Sequence, residues 1–419
     1  MRKRTLEAID YRAGHYFRQL ESFLGTMGIE RRLASVDLAL QTESDVYLRN
    51  WVLPRLSWWL GIREAREIIQ RNGSFRRGVT LLMERPLQTA IKLSKFHRTM
   101  PDWKKEEFRS RILSKNFLDP TLFEIDCSAH FWQLGYDIEW FESQSDLDMK
   151  SSEFIAKGNG HEFEVECKAK QVDAGRRIER DLFYKTVDQL LPIIQKKELS
   201  GIIFLTVPSR LPRKTSWRDE AVQMIEERFV VGSGTIRLDS GEILDFDLRP
   251  ADGSQGTMSD IAHKVDVSSH PFVHYAIIGA KNGNAITDPV VFRLESLKPG
   301  TFLDNILISL RKAESKFTGN RASLISCMLP EIDSFEGLEI DSAIHNMTCI
   351  FFENYARDFV NAVSYVSEVR REVEGAVILS DMPFLTYRNH KYDFKYGPDI
   401  PITNEMTLLS DCRCSGFRA

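Results

Sequence analysis

One short segment of this sequence carries acidic and basic side chains at a spacing that suits phosphodiester chemistry. Glu164, Glu166 and Lys168 alternate there with Val165 and Cys167. In an extended strand, residues two apart point to the same face, so we expect Glu166 and Lys168 to lie side by side. A lysine beside a metal-binding carboxylate can hold the attacking water and offset charge on the scissile phosphate. Glu164 shares this face and is expected to be a bystander.

A second acidic position precedes this strand. Residues 145–149 (SDLDM) begin a run that is predicted to be a strand, and residues 157–160 (KGNG) have the composition of a hairpin turn. The hairpin is expected to present an aspartate beside Glu166. Two carboxylates this close repel each other unless a cation lies between them, which predicts a hard divalent metal. Asp146 and Asp148 both qualify, and Asp148 is preferred because it lies further inside the strand.

The Glu-x-Lys triplet by itself is a weak signal. Comparable triplets occur at residues 102–104, 314–316 and 393–395. Glu314 lies in a helical pattern, and the other two triplets lack a preceding strand hairpin. An isolated strand face of this kind is also commonly just solvated surface. The elements on either side of residues 164–168 are what favour a site there.

These elements follow a definite order. Hydrophobic periodicity predicts a helix, three strands, a long helix and a buried strand, over residues 121–134, 136–141, 147–156, 162–169, 176–197 and 201–207. The preceding residues show helical spacing, interrupted by prolines and an Asn-Gly pair. Further along, the pattern predicts a hairpin, a helix and two strands, over residues 235–248, 302–317, 322–329 and 375–379.

In this order and context, the residues resemble the PD-(D/E)xK phosphodiesterase superfamily, which has the restriction-endonuclease-like fold. The resemblance implies that Asp148 and Glu166 bind Mg²⁺, with Mn²⁺ as a substitute. Cys167 would contribute only its backbone carbonyl to the metal. Lys168 would orient the nucleophilic water. The resemblance covers roughly residues 119–210.

The same resemblance implies two supporting residues. Glu124 on the leading helix matches an acid that often completes the site, although the helix dipole also favours an acid in a first turn. Gln189 and Lys185 lie four apart on one face of the long helix, where the family often adds a polar residue. One departure from the family pattern is that the acidic strand position follows Ser145 or Leu147 instead of proline.

The predicted fold class is α/β, with a restriction-endonuclease-like core in the order αβββαβ. We predict a helical, basic N-terminal region over 1–118 and the nuclease core over 119–210. An α/β extension over 211–419 is a candidate to complete the core sheet. The length of 419 residues allows two or three domains or one enlarged α/β domain.

Charge is distributed unevenly along the chain. Residues 1–120 carry 23 Lys and Arg against 14 Asp and Glu, whereas the remainder carries 33 against 46, which together give the net charge of −4. A basic end joined to an acidic body suits contact with a polyanion, and solvated helix faces are the simpler explanation. No run approaches the ~20 apolar residues of a membrane span, and the six cysteines lack disulfide or zinc spacing. The sequence therefore predicts a cytoplasmic protein that does not enter a membrane.

The function expected from these features is Mg²⁺-dependent hydrolysis of phosphodiester bonds in nucleic acid, with DNA as the favoured substrate and endonuclease action favoured over exonuclease action. Two alternatives stay open. One is a catalytically inactive nuclease fold that binds nucleic acid, and the other is an interaction scaffold whose acids are surface decoration. Many such folds cut both strands as homodimers, but the sequence shows no interface.

Overall fold

A computed structural model describes most of the chain and divides it into two compact units. The first unit comprises Met1–Gln41, Arg55–Val172 and Asn305–Ala419, and the second comprises Thr42–Pro54 and Asp173–Asp304. The described residues are 2–42, 47–48, 52–72, 80–114, 117–141, 152–158, 160–170, 179–208, 222–223, 226–228, 230–237, 241, 243–257, 260–261, 274–282, 285–297, 301–329, 338–367, 369–373, 376–381 and 384–402.

The N-terminal part of the first unit is helical, as its periodicity predicts. Its helices are α1 (Arg2–Leu24), α2 (Thr26–Thr42), α3 (Leu53–Asn72), α4 (Leu81–Phe96) and α5 (Asp102–Leu113). Their buried apolar residues belong to one core that also includes the next helix, α6 (Leu118–Gln133), and part of the sheet. Burial of this apolar stripe holds the helices against the rest of the unit.

A six-stranded sheet forms the centre of the first unit. Its strand order is β1-β2-β3-β10-β11-β14, with bounds Asp137–Trp140, Phe154–Gly158, His161–Ala169, Ala322–Leu329, Val360–Ser367 and Phe384–Arg388. The strands β1, β2 and β3 form an antiparallel meander, and β10 then pairs in parallel with β3. The sheet is therefore mixed, and β3 is an interior strand.

Helices pack on this sheet from different chain segments. The helix α6 contacts β1, β2 and β3, and Phe131 packs against Phe163 in the shared core. Two further helices, α8 (Phe302–Glu314) and α9 (Leu338–Asn354), flank β10 in sequence. On the face opposite α6, Thr348 of α9 hydrogen-bonds Tyr365 of β11 at 2.8 Å. The remaining short elements are β12 (Val369–Val373) paired with β13 (Ala376–Asp381) and the 3-10 helix Phe394–Tyr396.

The second unit has its own sheet and its own core. Its elements are α7 (Arg180–Lys196), β4 (Leu199–Val207), β5 (Gly232–Arg237), β6 (Ile243–Pro250), β7 (Gln255–Thr257), β8 (His274–Asn282) and β9 (Ala285–Ser296). The strand order is β5-β6-β4-β9-β7, with β8 also paired to β9. A separate apolar cluster joins α7 to these strands.

This division corrects the predicted connection of the core. The helix and strand that were expected to close it, residues 176–197 and 201–207, form as α7 and β4 but belong to the second unit. The strand that pairs with β3 is β10, and α8 precedes it. The chain thus leaves the first unit after β3 and returns at Asn305. The predicted core range is consequently split, with 119–172 in the first unit and 173–210 in the second.

Candidate active site

Glu166 lies at the centre of the candidate site, in the interior strand β3. Its side chain is fully buried, whereas that of Lys168 is 22% exposed. Strand alternation places the two side chains on one face, and the Lys168 ammonium donates a hydrogen bond to Oε1 of Glu166. The second oxygen, Oε2, accepts no hydrogen bond from the described residues. The predicted pair is thus brought together, with one buried carboxylate oxygen left available.

Glu153, which is not among the site residues predicted from the sequence, lies beside Glu166 and Lys168. Glu153 immediately precedes β2, and its backbone N–H donates to the carbonyl of Val165 at 3.0 Å. Phe154 pairs with Val165. The antiparallel register therefore places the preceding residue, Glu153, beside Glu166. Glu153 therefore lies across the hairpin from Glu166, where the sequence predicts an aspartate. Asp146 and Asp148 themselves lie outside the described residues.

One lysine connects the two glutamates. The ammonium of Lys316, just beyond the end of α8, lies 2.9 Å from Oε1 of Glu166 and 3.7 Å from Oε1 of Glu153. These two carboxylates raise the pKa of Lys316, although its partial burial opposes them. Lys316 is the lysine of the triplet at 314–316. This triplet lies in a helical pattern, yet it contributes a residue to the site.

A second lysine extends the group toward the helical region. Lys104 of α5 is almost fully buried, and its ammonium lies 2.6 Å from Glu124, 3.2 Å from Glu107 and 4.0 Å from Glu153. Arg111 of the same helix pairs with the other oxygen of Glu124 at 2.7 Å. Burial opposes the charge of Lys104, but the surrounding carboxylates raise its pKa overall. Lys104 thus links Glu124 to the site through Glu153.

Glu124 therefore belongs to the site only indirectly. It lies on α6, which packs on the sheet face that carries Val165 and Cys167, whereas Glu166 points to the opposite face. Within the described residues its carboxylate pairs with Lys104 and Arg111 rather than with Lys168. Burial, and secondly the charge of Glu153, raises the pKa of Glu124 to about 7. Its protonation can therefore change near neutral pH.

Burial also governs the ionisation of Glu166. Removal from water raises the pKa of this carboxyl, and the negative charge of Glu153 acts in the same direction. The ammonium groups of Lys168 and Lys316 act in the opposite direction. Two neighbouring carboxylates repel each other and therefore attract a cation. Here the ammonium groups of two lysines supply part of that positive charge.

Glu164 has a separate structural task. Its side chain is fully buried and accepts a hydrogen bond from the backbone N–H of Thr318 at 3.0 Å and another from the hydroxyl of that residue. Arg321 approaches the same carboxylate at 3.6 Å. Glu164 therefore anchors the segment between α8 and β10. Its place outside the chemistry stays a prediction.

The remaining predicted residues are placed as follows. Cys167 is buried on the α6 face, where burial raises the pKa of its thiol far above the ordinary value, so only its backbone can serve a metal on the Glu166 side. Gln189 and Lys185 lie on α7 in the second unit, and Gln189 is therefore not among the residues that the first unit brings together. Its supporting role stays a prediction.

The missed glutamate had a signal in the sequence. Antiparallel pairing counted back from Gly158, which pairs with His161, brings residue 153 beside residue 166. Asp148 lies five positions before residue 153 in the sequence. Lys104 and Lys316 are the lysines of the 102–104 and 314–316 triplets, but nothing local to these triplets indicates that either lysine reaches this site.

The described residues contain no group of three or more His, Cys, Asp and Glu side chains arranged to hold a metal ion. Nor is any helix in the described part of the chain long and apolar enough to cross a membrane. Comparison with protein-family models, curated proteins and solved structures gives no match to this chain.

Proposed function

We propose that this protein is a metal-dependent nuclease that hydrolyses phosphodiester bonds in nucleic acid, with DNA as the favoured substrate. The observation that carries this proposal is the pairing of buried Glu166 with Lys168 on an interior strand, beside a second carboxylate, Glu153. An acid pair can bind a hard divalent metal, and a neighbouring lysine can hold the attacking water. We favour endonuclease action in the cytoplasm.

The connection of the first unit supports a restriction-endonuclease-like core. When the second unit is set aside, the chain runs α6, β1, β2, β3, α8, β10, which is the αβββαβ order of the PD-(D/E)xK superfamily. Glu166 and Lys168 occupy the third strand of that series, where the superfamily carries its acid-x-lysine motif. The second unit is then an insertion between the third strand and the second helix of the core.

The donor atoms present fit Mg²⁺ or Mn²⁺. Hard divalent cations prefer carboxylate and carbonyl oxygens, and Oε2 of Glu166 is buried with no hydrogen bond from the described residues. Glu166, Glu153 and the backbone carbonyl of Cys167 would hold the cation, and Asp148 stays a proposed ligand. The metal would supply Lewis-acid stabilisation of charge on the phosphate.

The lysines and glutamates around the proposed metal have complementary roles in this proposal. Lys168 is held by Glu166 with its ammonium partly exposed, so it can hydrogen-bond and orient the attacking water. Burial of Glu166 keeps water away from one side of the carboxylate and fixes its rotamer. Glu124, through Lys104, positions Glu153 instead of touching the reacting atoms.

Incubation of the purified protein with plasmid and linear DNA, in Mg²⁺, Mn²⁺ or EDTA, tests this function. We expect metal-dependent cleavage that Lys168→Ala abolishes. Lys157→Ala is a matched control, because Lys157 lies on the same hairpin but pairs with Glu139, away from the site. Size-exclusion chromatography of the same sample tests the homodimer.

A second candidate function is favoured by the ion pairs at the site. Glu166 is already neutralised by Lys168 and Lys316, an arrangement that would suit a nuclease fold without turnover that binds nucleic acid. Retention of DNA without cleavage in any metal would support this candidate. Absence of both binding and cleavage would favour an interaction scaffold.

A further inference from the structure

Lys316 lies where its charge competes with a metal. Its ammonium approaches Oε1 of Glu166 at 2.9 Å and Oε1 of Glu153 at 3.7 Å, and these are the carboxylates to which we assign the cation. An ammonium and a divalent cation placed between the same two carboxylates repel each other strongly, so they compete for that space. Either the ammonium or the divalent cation can neutralise both acids at once.

The exposure of the three side chains indicates which of them can move. Glu166 is fully buried and Glu153 is 20% exposed, whereas Lys316 is 42% exposed. A long, flexible lysine side chain that already reaches solvent can withdraw its ammonium without leaving a cavity. Glu166 lies in the middle of an interior strand and cannot follow it. The two carboxylates are therefore fixed in place, whereas the ammonium of Lys316 can be displaced.

We propose that Lys316 is a built-in counter-ion of Glu153 and Glu166 that a divalent cation must displace. This inference rests on the proposed function, because it concerns the same carboxylates. Before the metal binds, the ammonium limits repulsion between the two acids and keeps them ordered. Once displaced, it stays near Lys168 at the exposed side of the site, where it can contact a phosphate of the substrate.

Neighbouring basic residues support this second position. The ammonium groups of Lys312 and Lys168 act on that of Lys170, whose pKa is lowered mainly by burial, so these lysines are grouped on one side of the site. Lys312 is exposed on α8 and has no ion-pair partner among the described residues. A displaced Lys316 would join this group, which suits a polyanionic strand.

Isothermal titration of the full chain with Mn²⁺ tests the displacement. We expect Lys316→Met to bind Mn²⁺ about tenfold more tightly than the unaltered protein, because the competing cation is gone. Lys316→Arg should stay close to the unaltered protein. Lys312→Met is the matched control, since it removes one positive charge from the same helix without freeing either carboxylate, and it should have a much smaller effect.

Two results would overturn the proposal in distinguishable ways. If the unaltered protein binds Mn²⁺ and Lys316→Met binds it no more tightly than Lys312→Met does, the displacement is wrong while the metal site stands. If none of these proteins binds Mn²⁺, the proposed function fails together with this inference. Thermal unfolding of each variant checks folding, and Lys316→Gln replaces the methionine variant if that variant does not fold.

Discussion

Glu153 and Glu166 share the ammonium of Lys316, although Glu153 precedes β2 and Glu166 lies on β3. The relationship depends on register, because Phe154 pairs with Val165 and so brings the preceding residue beside Glu166. It makes Glu153 the acid whose loss should matter most after that of Glu166 itself.

The first prediction concerns this acid. Glu153→Gln should weaken Mn²⁺ binding at least about tenfold, because an anionic oxygen donor is replaced by a neutral amide. Titration calorimetry at constant ionic strength measures the change. Glu162→Gln is the control, since Glu162 lies at the other end of β3 and pairs with Arg321. Unchanged binding in Glu153→Gln would remove Glu153 from the metal site, and Asp148→Asn then tests the aspartate predicted from the sequence.

A second prediction separates Glu164 from Glu166. Glu164→Gln should lower the free energy of unfolding by about 1–3 kcal/mol, because a neutral amide replaces the buried carboxylate that accepts hydrogen bonds from the N–H and the hydroxyl of Thr318. Metal affinity should stay unchanged, since this carboxylate is committed to Thr318 and Arg321. Urea unfolding and metal titration of one sample measure both quantities. A loss of metal affinity with no loss of stability would exclude the anchoring role.

A third prediction concerns Lys104. Its side chain is 3% exposed between Glu124 and Glu107, so Lys104→Met should remove one of the two cations that pair with buried Glu124. Breaking a buried ion pair in this way costs roughly 3–5 kcal/mol of the free energy of unfolding. Urea unfolding at pH 8 measures it, above the pKa of Glu124. The neighbouring Lys105→Met is the matched control and should change little, because Lys105 pairs with an exposed Asp102. Equal effects of the two substitutions would contradict the role given to Lys104.

The fourth prediction is a pH dependence. In the folded protein the pKa of Glu124 is about 7, above its ordinary value of 4.5, so between these values the folded chain binds more protons than the unfolded chain. The stability contributed by this group is thus present below pH 4.5 and is lost as the pH rises through about 7. Glu124→Gln should remove that loss, on the order of 3 kcal/mol.

Denaturant unfolding at pH 5 and pH 8 checks this sign. The free energy of unfolding of Glu124→Gln, relative to the unaltered protein, should increase from pH 5 to pH 8. Glu107→Gln is the control, because Lys104 and Arg111 lower the pKa of Glu107 overall despite its burial, which confines its effect to lower pH. The same relative stability of Glu124→Gln at both pH values would show that Glu124 keeps an ordinary pKa.

The local features of the site were predictable from the sequence because they depend on strand periodicity. Residues 161–169 alternate regularly, so the common face of Glu166 and Lys168 follows from the backbone alone. The strand Ala322–Leu329 was also predicted with its observed bounds, since six of its eight residues are apolar. Both predictions use only neighbouring residues.

Which distant strands pair in the sheet was not predictable from neighbouring residues. After β3 the chain offers two helix–strand pairs, α7–β4 and α8–β10, and each has suitable periodicity. Proximity in sequence favours α7–β4, whereas in the structure β10 pairs with β3. The strand β11 was missed because Asn361, Ser364 and Ser367 interrupt its apolar pattern, yet all three are buried. Asn361, for example, is satisfied by Asp399 at 2.9 Å, a contact that no local rule reveals.

The interruption of the first unit has a consequence for synthesis of the chain. Lys168 and its partner strand β10 are separated by the 132 residues from Asp173 to Asp304, which belong to the second unit. At typical elongation rates a ribosome needs on the order of 10 s to make that length. During this interval β3 has one unpaired edge, and Glu153 and Glu166 lack the ammonium of Lys316. The nascent chain therefore carries two carboxylates that repel each other next to an open strand edge, and such an edge can pair with another chain.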